Sequence, residues 1–178
     1  MLQGDHITLR ARHETDVPVL QAELYDDVAT RSRADSRPWR PVPPGSAQSP
    51  YAVSGVSDEA ACFSVLDTAS GELAGEALLW GIDPHNRTAH LGVALRPGHR
   101  GRGFATDVLR VLCRYGFTVL GLNRLQLETL ADNTPMLRAA TAAGFTAEGT
   151  LRRSAWACGE FTDQVVLGLL AEEWQDCQ

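Results

Sequence analysis

The sequence predicts an α/β fold built on an antiparallel meander, and three observations predict it. First, 178 residues with 44% hydrophobic content suffice for one buried core and are too few for two typical domains, so residues 1–178 are assigned to a single domain. Second, three strand-like runs follow one another, Ala61 to Leu66, Glu72 to Ile82 and Thr88 to Leu95. The turn-prone stretches Ala69-Ser70-Gly71 and Asp83-Pro84-His85-Asn86 separate them, as in hairpins. Third, the pattern then switches to helical spacing, with Ala105, Leu109, Leu112 and Tyr115 close to one face of a helix over Phe104 to Thr118. The order is mixed, without internal repeats.

The remaining elements follow in sequence. Ile7 and Leu9 alternate with polar neighbours in a first strand over His6 to Arg10. Glu14 to Arg31 carries apolar residues at helical spacing, and Thr15 or Asp16 is placed to cap that helix. Asp35 to Ser57 contains Pro38, Pro41, Pro43, Pro44 and Pro50, which remove backbone donors and forbid a continuous helix or an inner strand. Loops of that length inside compact domains tend to be functional. After the central helix, Leu125, Leu127 and Thr129 alternate as a strand, and Thr134 to Ala143 is a short helix closed by Gly144. Two last strands fall around Phe145 to Trp156 and Phe161 to Leu170.

Composition excludes several classes of partner. A net charge of -6 argues against nucleic acids and anionic membranes, which need a basic face to release counterions. Every basic residue is Arg and none is Lys, a bias of composition rather than a chemical signal. The arginines at 31, 33, 37 and 40 read as a solvated basic face, the alternative being a preference for an acidic acceptor. Cys62, Cys113, Cys158 and Cys177 form no Cys-x-x-Cys pair and share no ligand spacing with a histidine, so they are expected to be reduced thiols and no metal is expected. Cys113, in the middle of a helix, is assigned to the core. No signal pattern opens the chain and no apolar run approaches the ~20 residues that span a bilayer, so a cytoplasmic location is expected.

The chemistry concentrates where the third meander strand ends. Arg96-Pro97-Gly98-His99 leads into Arg100-Gly101-Arg102-Gly103-Phe104-Ala105, and the helix begins at once. Glycines at 101 and 103 let backbone N–H groups approach a ligand, and the helix start adds roughly +0.5 of a charge from aligned peptide dipoles. A diphosphate suits such a cradle, with Arg100 and Arg102 adding side-chain contacts secondary to the backbone donors. A mononucleotide P-loop would need Gly-Lys-Ser or Gly-Lys-Thr, and the chain has no Lys. A dinucleotide fold would need repeated parallel βαβ units, whereas this loop follows an antiparallel meander.

Arg100-x-x-Gly103-x-Ala105 resembles the Arg/Gln-x-x-Gly-x-Gly/Ala signature of the GNAT superfamily of N-acetyltransferases. The resemblance extends through Leu91-Gly92-Val93-Ala94-Leu95, Asn133, Ala143-Gly144-Phe145 and Glu148 to Arg152, and is greatest toward the bacterial branch containing ribosomal-protein N-terminal acetyltransferases. It implies a central mixed, mostly antiparallel sheet flanked by helices, with acetyl-coenzyme A as cosubstrate wedged where two strands part. The strand equivalent to His90–Leu95 would carry a bulge and splay from its neighbour. Val93, Ala94 and Leu95 would line the thioester, and an N–H near Leu95 would polarise the acetyl carbonyl, an effect typically worth about 3 kcal/mol. Arg100, Gly101, Arg102, Gly103, Phe104 and Ala105 would hold the pyrophosphate, and Asn133 would contact the pantetheine near the sulfur, the alternative for Asn133 being an ordinary helix cap.

The implied activity is transfer of acetyl to a primary amine, either a protein N-terminal α-amine or a small molecule such as an antibiotic or an amino acid, by direct attack in a ternary complex. An α-amino group with a pKa of about 8 needs only modest base catalysis. His90 is the first candidate base and Glu76 the second, each with a plain structural alternative, a half-buried strand histidine and a solvated strand carboxylate. The serine that the branch commonly shows in its Asn-x-x-Ser stretch is absent, because the chain reads Asn133-Thr134-Pro135-Met136. That absence motivates a second reading, a non-catalytic acyl-coenzyme A sensor. Polyamine or antibiotic acetylation is a third, with polyamines disfavoured by the scarcity of acidic residues around the Pro-rich loop. The acceptor is expected between that loop and the last hairpin, with Trp39, Tyr51, Trp156 and Phe161 as candidate wall residues. Relatives of the family form dimers, and a homodimer is left open.

Overall fold

Eight strands form one sheet in the order β1-β2-β3-β4-β5-β6-β8-β7 in the computed structural model, which describes residues 1–35 and 37–174. The strands are β1 (Leu2–Gln3), β2 (Ile7–Ala11), β3 (Ala60–Asp67), β4 (Leu73–Asp83), β5 (Thr88–Leu95), β6 (Arg124–Leu130), β7 (Thr146–Ala157) and β8 (Glu160–Leu170). Neighbours pair antiparallel except β5 and β6, which run parallel because the helix α3 (Phe104–Arg114) carries the chain across the sheet between them. The predicted α/β class, the meander and the mixed sheet are all present. Cys177 lies outside the described residues.

Alternation assigns each sheet face. Ile7, Leu9, Val65, Ala77, Leu79, Ala89 and Leu91 point to one side, where α3 buries Phe104, Val108, Val111 and Leu112 on a stripe of helical spacing. Cys113 joins this core, and burial pushes its thiol up to about 12. On the opposite face, Val17, Leu20, Leu24, Tyr25 and Tyr51 make a second cluster that reaches Ala94 of β5. Tyr51 comes from the Pro-rich loop, so that loop is anchored by a buried ring rather than standing free.

The single helix predicted over Glu14 to Arg31 is divided. A 3-10 turn (Glu14–Asp16), α1 (Val17–Leu20) and a π turn (Gln21–Tyr25) form one continuous stretch, and a separate helix α2 (Val28–Ala34) follows. Asp27 causes the break, since its carboxylate accepts from the Thr30 amide (3.2 Å) and the Thr30 hydroxyl (2.6 Å), which starts a new helix. The 3-10 turn is capped at His13, and Asp16, one of the two expected caps, is the N-cap of α1 without a side-chain cap hydrogen bond to it. Asp16 contributes by accepting the His13 amide (2.9 Å), and also takes Arg10 (2.6 Å) and the Ser64 hydroxyl (2.7 Å), tying β2, the helix start and β3 together. Helix α4 (Thr134–Ala142) ends as predicted, with Gly144 at φ +100° just beyond it.

Asp107 holds the N-terminal segment onto α3. Its carboxylate accepts the backbone amides of Asp5 (3.1 Å), His6 (2.6 Å) and Ile7 (3.1 Å), and Gly4 passes so near that a Cβ there would lie 2.4 Å from the Asp107 oxygen. Hydrogen bonds to a charged acceptor contribute more than neutral ones, so Asp107→Ala should destabilise the fold by about 2–4 kcal/mol. At about 2–4 °C per kcal/mol for a domain of this size, the melting temperature should fall by several degrees, and a thermal scan showing no loss would remove Asp107 from this role.

Burial opposes ionisation of Asp16, but the hydrogen bonds from Arg10, the His13 amide and Ser64 outweigh it and lower the carboxyl from 3.8 to about 2. A depressed folded-state pKa contributes stability that is present above the unfolded value and lost as pH falls through the folded one. Wild-type protein should therefore lose about 2 kcal/mol from this group between pH 5 and pH 2, and Asp16→Asn should flatten that part of the acid limb. Urea titrations across the range measure both slopes.

Candidate active site

The sheet splits between β5 and β6. Their parallel pairing runs only from Thr88 opposite Arg124 to His90 opposite Gln126, while β6 continues against β8 as far as Leu130 opposite Gln164. From Leu91 to Leu95, β5 keeps its β4 neighbour and has no strand on its other edge. The phase of the free edge follows from one bond. The Arg96 amide donates to the Ala74 carbonyl (2.9 Å) in the register that pairs Gly75 with Leu95, so alternate residues back to Ala94 and Gly92 turn their backbone groups toward β4. The Leu91 carbonyl, both backbone groups of Val93 and the Leu95 N–H thus face the split, the Leu91 N–H completing the last pair with β6 and the Leu95 carbonyl taking Arg100, whereas Ala94 offers the split no backbone group. The expected bulge is not in this strand. Register from His90 to Leu95 is unbroken, and the irregularity lies between Trp80 and Asp83 of β4, where Gly81 has φ +59°.

At the mouth of the split, a 3-10 turn (Pro97–His99) leads into Gly101 (φ +74°) and Gly103 (φ +80°), the cap of α3. The first intrahelical bond of α3 is the Asp107 amide to the Gly103 carbonyl (3.3 Å), which leaves the amides of Phe104, Ala105 and Thr106 without helical partners. The two arginines of the loop are committed within the protein. Arg100 Nε donates to the Leu95 carbonyl (2.9 Å), and Arg102 donates to buried Asp67 (2.9 Å) while lying 4.6 Å over the Phe104 ring. Arg96 donates to the Leu73 carbonyl and to Glu23. These side chains fix the loop, and the backbone supplies the free donors.

Asn133, at the far wall, caps α4. Its side-chain oxygen accepts the Met136 amide (3.4 Å) and its nitrogen donates to the Thr129 hydroxyl (2.9 Å). The ordinary capping role is thus present, and only its remaining lone pair and N–H are open to a ligand.

The two candidate bases share the face opposite α3 but do not meet. Glu76 sits across from Ala94 and His90 across from Trp80, four residues apart or about 13 Å along the strand. Between them the Leu78 side chain fills the space above Gly92, so closely that a Cβ on Gly92 would lie 2.6 Å from it. His90 stacks on Trp80 at 4.3 Å on the far side of that wall. Glu76 is buried rather than solvated and accepts from Arg12 (2.7 Å). Burial pushes its carboxyl above the usual range, against the opposing hydrogen bond and charge of Arg12.

Arg12, which the sequence did not single out, is the partner of Glu76. Arg12 follows β2 and lies 5.5 Å from the Tyr51 ring centre, and Arg31, expected to be solvated, is 8% exposed, paired with Asp35 and stacked 5.2 Å from the Tyr25 ring. No local pattern could reveal the Arg12 to Glu76 contact, because it depends on the register of three strands. The candidate wall aromatics separate into two groups. Tyr51 and Trp39 belong to the cluster around α1, and Trp39 donates its Nε1 to the Tyr25 carbonyl (3.0 Å). Trp156 and Phe161 pack edge-on at 4.8 Å on the exposed β7–β8 hairpin, whose tip meets α2 through the Cys158 amide and the Ser32 hydroxyl (3.0 Å).

The chain resembles known proteins in sequence and in fold. The chain is 29% identical to the uncharacterised N-acetyltransferase p20 of Bacillus licheniformis, over 97% of each chain. It is 28% identical to the spermidine N(1)-acetyltransferase of Vibrio cholerae over 61% of this chain and 62% of that one. Among solved structures, the Vibrio cholerae spermidine N-acetyltransferase in complex with CoA and spermine superposes with a TM-score of 0.78 at 21% identity, covering 94% of this chain and 97% of that one. A probable acetyltransferase superposes at 0.80 with 24% identity over 96% of each chain. The model of the Acetyltransferase (GNAT) domain matches residues 6–146, so the chain belongs to the GNAT acetyltransferase family and is an N-acetyltransferase that draws its acetyl group from acetyl-coenzyme A.

Proposed function

We propose that the split between β5 and β6 receives the pantetheine arm of acetyl-coenzyme A, and that a primary amine attacks the thioester directly from the Glu76 side. The observation that carries this reading is the unpaired edge of β5, where Leu91, Val93 and Leu95 present backbone donors and acceptors beside the free amides of α3. In this reading the amides of Gly101 to Ala105 hold the pyrophosphate, as helix starts hold anions, with the side chains of Arg100 and Arg102 keeping the loop in shape. Val93 and Leu95 bind the arm through backbone, Ala94 lines it by its side chain, and Asn133 closes the opposite wall. The acetyl-coenzyme A supplies an activated acyl thioester.

Glu76 takes the proton from the attacking nitrogen as the new C–N bond forms. The C–S bond breaks with its electron pair on sulfur, and water protonates the thiolate, a tolerable leaving group at a pKa near ~8.5. A buried carboxylate with a raised pKa suits this work better than a solvated one. His90 is the second candidate, set beyond Leu78 at the apex of the split. The chain is read here as one domain. The relatives that carry a substrate name are spermidine N(1)-acetyltransferases, while assignment to the ribosomal-protein branch rests on the motif residues alone. A solved Vibrio cholerae spermidine N-acetyltransferase is dodecameric, which supports testing this chain for self-association.

Two measurements test the assignment. Gly103→Ala meets no neighbouring atom but forces a side chain into φ +80°, so it should turn the cap amides and weaken coenzyme A binding about tenfold by calorimetry. Unchanged affinity would place the pyrophosphate elsewhere. Glu76→Gln should lower kcat about 10²-fold or more while the KM for acetyl-coenzyme A stays within a few-fold, because it removes proton transfer and leaves the cofactor slot intact. If His90→Ala produces that loss and Glu76→Gln does not, the base is His90.

A further inference from the structure

The buried and half-buried carboxylates on the face that the acceptor meets already have guanidinium partners among the described residues. Asp16 is held by Arg10 (2.6 Å), Glu76 by Arg12 (2.7 Å), and Asp35 by both Arg31 and Arg37 (2.7 Å to Arg37). Partly exposed Glu23 is likewise taken by Arg96. A chain of ammonium groups needs unpaired carboxylates to lie against, and this face offers arginines instead. Its positive groups also include two unused donors, Nε of Arg12 and Nε of Arg96, and the first lies beside Glu76. Arg12 is 8% exposed, yet its Nε makes no hydrogen bond, and a buried donor left without a partner is costly.

The pair at Glu76 has a definite shape. It places a carboxylate and a guanidinium 2.7 Å apart, across from Ala94 and the free edge of β5. An α-amino acid carries an amine and a carboxylate on one carbon, the complementary arrangement of opposite groups. Arginine binds a carboxylate through two parallel N–H donors, and Nε with one terminal nitrogen forms such a fork.

We propose that the acceptor is a primary amine with a carboxylate on the adjacent carbon, an α-amino acid rather than a polyamine, whose amine meets Glu76 while its carboxylate meets Arg12 Nε. This rests on the reading that Glu76 faces the reacting nitrogen. Arg12 is then the residue that sets specificity. The named relatives act on spermidine, so this chain departs from them in the charge it selects.

The test compares kcat/KM, with saturating acetyl-coenzyme A, for the protein amino acids, for the amines they give on decarboxylation, for their carboxamides, and for spermidine. The best amino acid should exceed its own amine, its carboxamide and spermidine by at least tenfold. Arg12→Gln should shrink that ratio at least tenfold, chiefly through the KM of the amino acid, with coenzyme A binding by calorimetry as the check on folding. Ratios near one, a preference for the carboxamide, which would indicate a peptide N-terminus, or a preference for spermidine would each overturn the proposal and leave acetyl transfer standing. A ratio that persists in folded Arg12→Gln would overturn it as well. Silence with every amine by an enzyme that binds coenzyme A would overturn the transfer reading and this one together. The wild-type ratios decide alone if the variant does not fold.

Discussion

A strand that is paired along one edge and bare along the other is the constraint from which the rest of this structure follows. Each backbone N–H and C=O on the bare edge of β5 must find a partner or lose one to desolvation, so such an edge survives only next to water or a ligand. Closing it against β6 is prevented from both sides. β8 holds β6 along its full length, and β4 holds β5 through the Gly75 and Leu95 pair, where the Gly75 backbone passes so close that a Cβ would stand 2.2 Å from the Ala94 carbonyl. The α3 crossover packs beneath both strands and fixes the angle at which they part. The slot is therefore set by the pairing of strands outside it.

The loop at its mouth depends on the same logic of partners. Arg96, Arg100 and Arg102 look in sequence like three cations waiting for phosphate, yet each is occupied. Arg96 grips the β3–β4 connection and the helical stretch near Glu23, Arg100 returns to the end of β5, and Arg102 reaches Asp67 across the β3 end while covering Phe104. A planar guanidinium with several fixed donors can satisfy a carbonyl or carboxylate and stack on a ring at once, which an ammonium cannot do as well. What the loop presents to an anion is mostly amide, held in a preformed curve by side chains pointing away from it. Such a site loses little freedom when it binds.

Much of this was legible in the sequence where the signal was local. The meander strands, α3, α4 and the glycine loop each declare themselves within a dozen residues, through period-two or helical alternation and through glycines at positive φ. Contacts set by strand register were not legible. Arg12 and Glu76 lie 64 positions apart and meet only because β2, β3 and β4 align, and Arg31 looks solvated until α2 turns it onto Tyr25. The divided first helix failed for a different reason. Apolar spacing continues through Asp26 and Asp27, while a side-chain cap, which periodicity does not weigh, ends one helix and begins another.

Alternation along β5 also decides how two substrates share one strand. Leu91, Val93 and Leu95 give their side chains to the α3 core and backbone groups to the split, so the residues nearest the thioester arm are anchored where the core is densest. His90, Gly92 and Ala94 turn their side chains to the opposite face, where Leu78 covers Gly92, Trp80 stacks on His90 and the cluster around α1 packs against half-buried Ala94. In the proposed reading, an incoming amine approaches the strand at Ala94, the small residue paired across from Glu76. In that reading the cofactor is held by backbone, which carries no side-chain identity and can stay constant across a family. The acceptor, on the same proposal, is chosen by side chains on the opposite face, where a register contact such as Arg12 with Glu76 sets the charge presented to it.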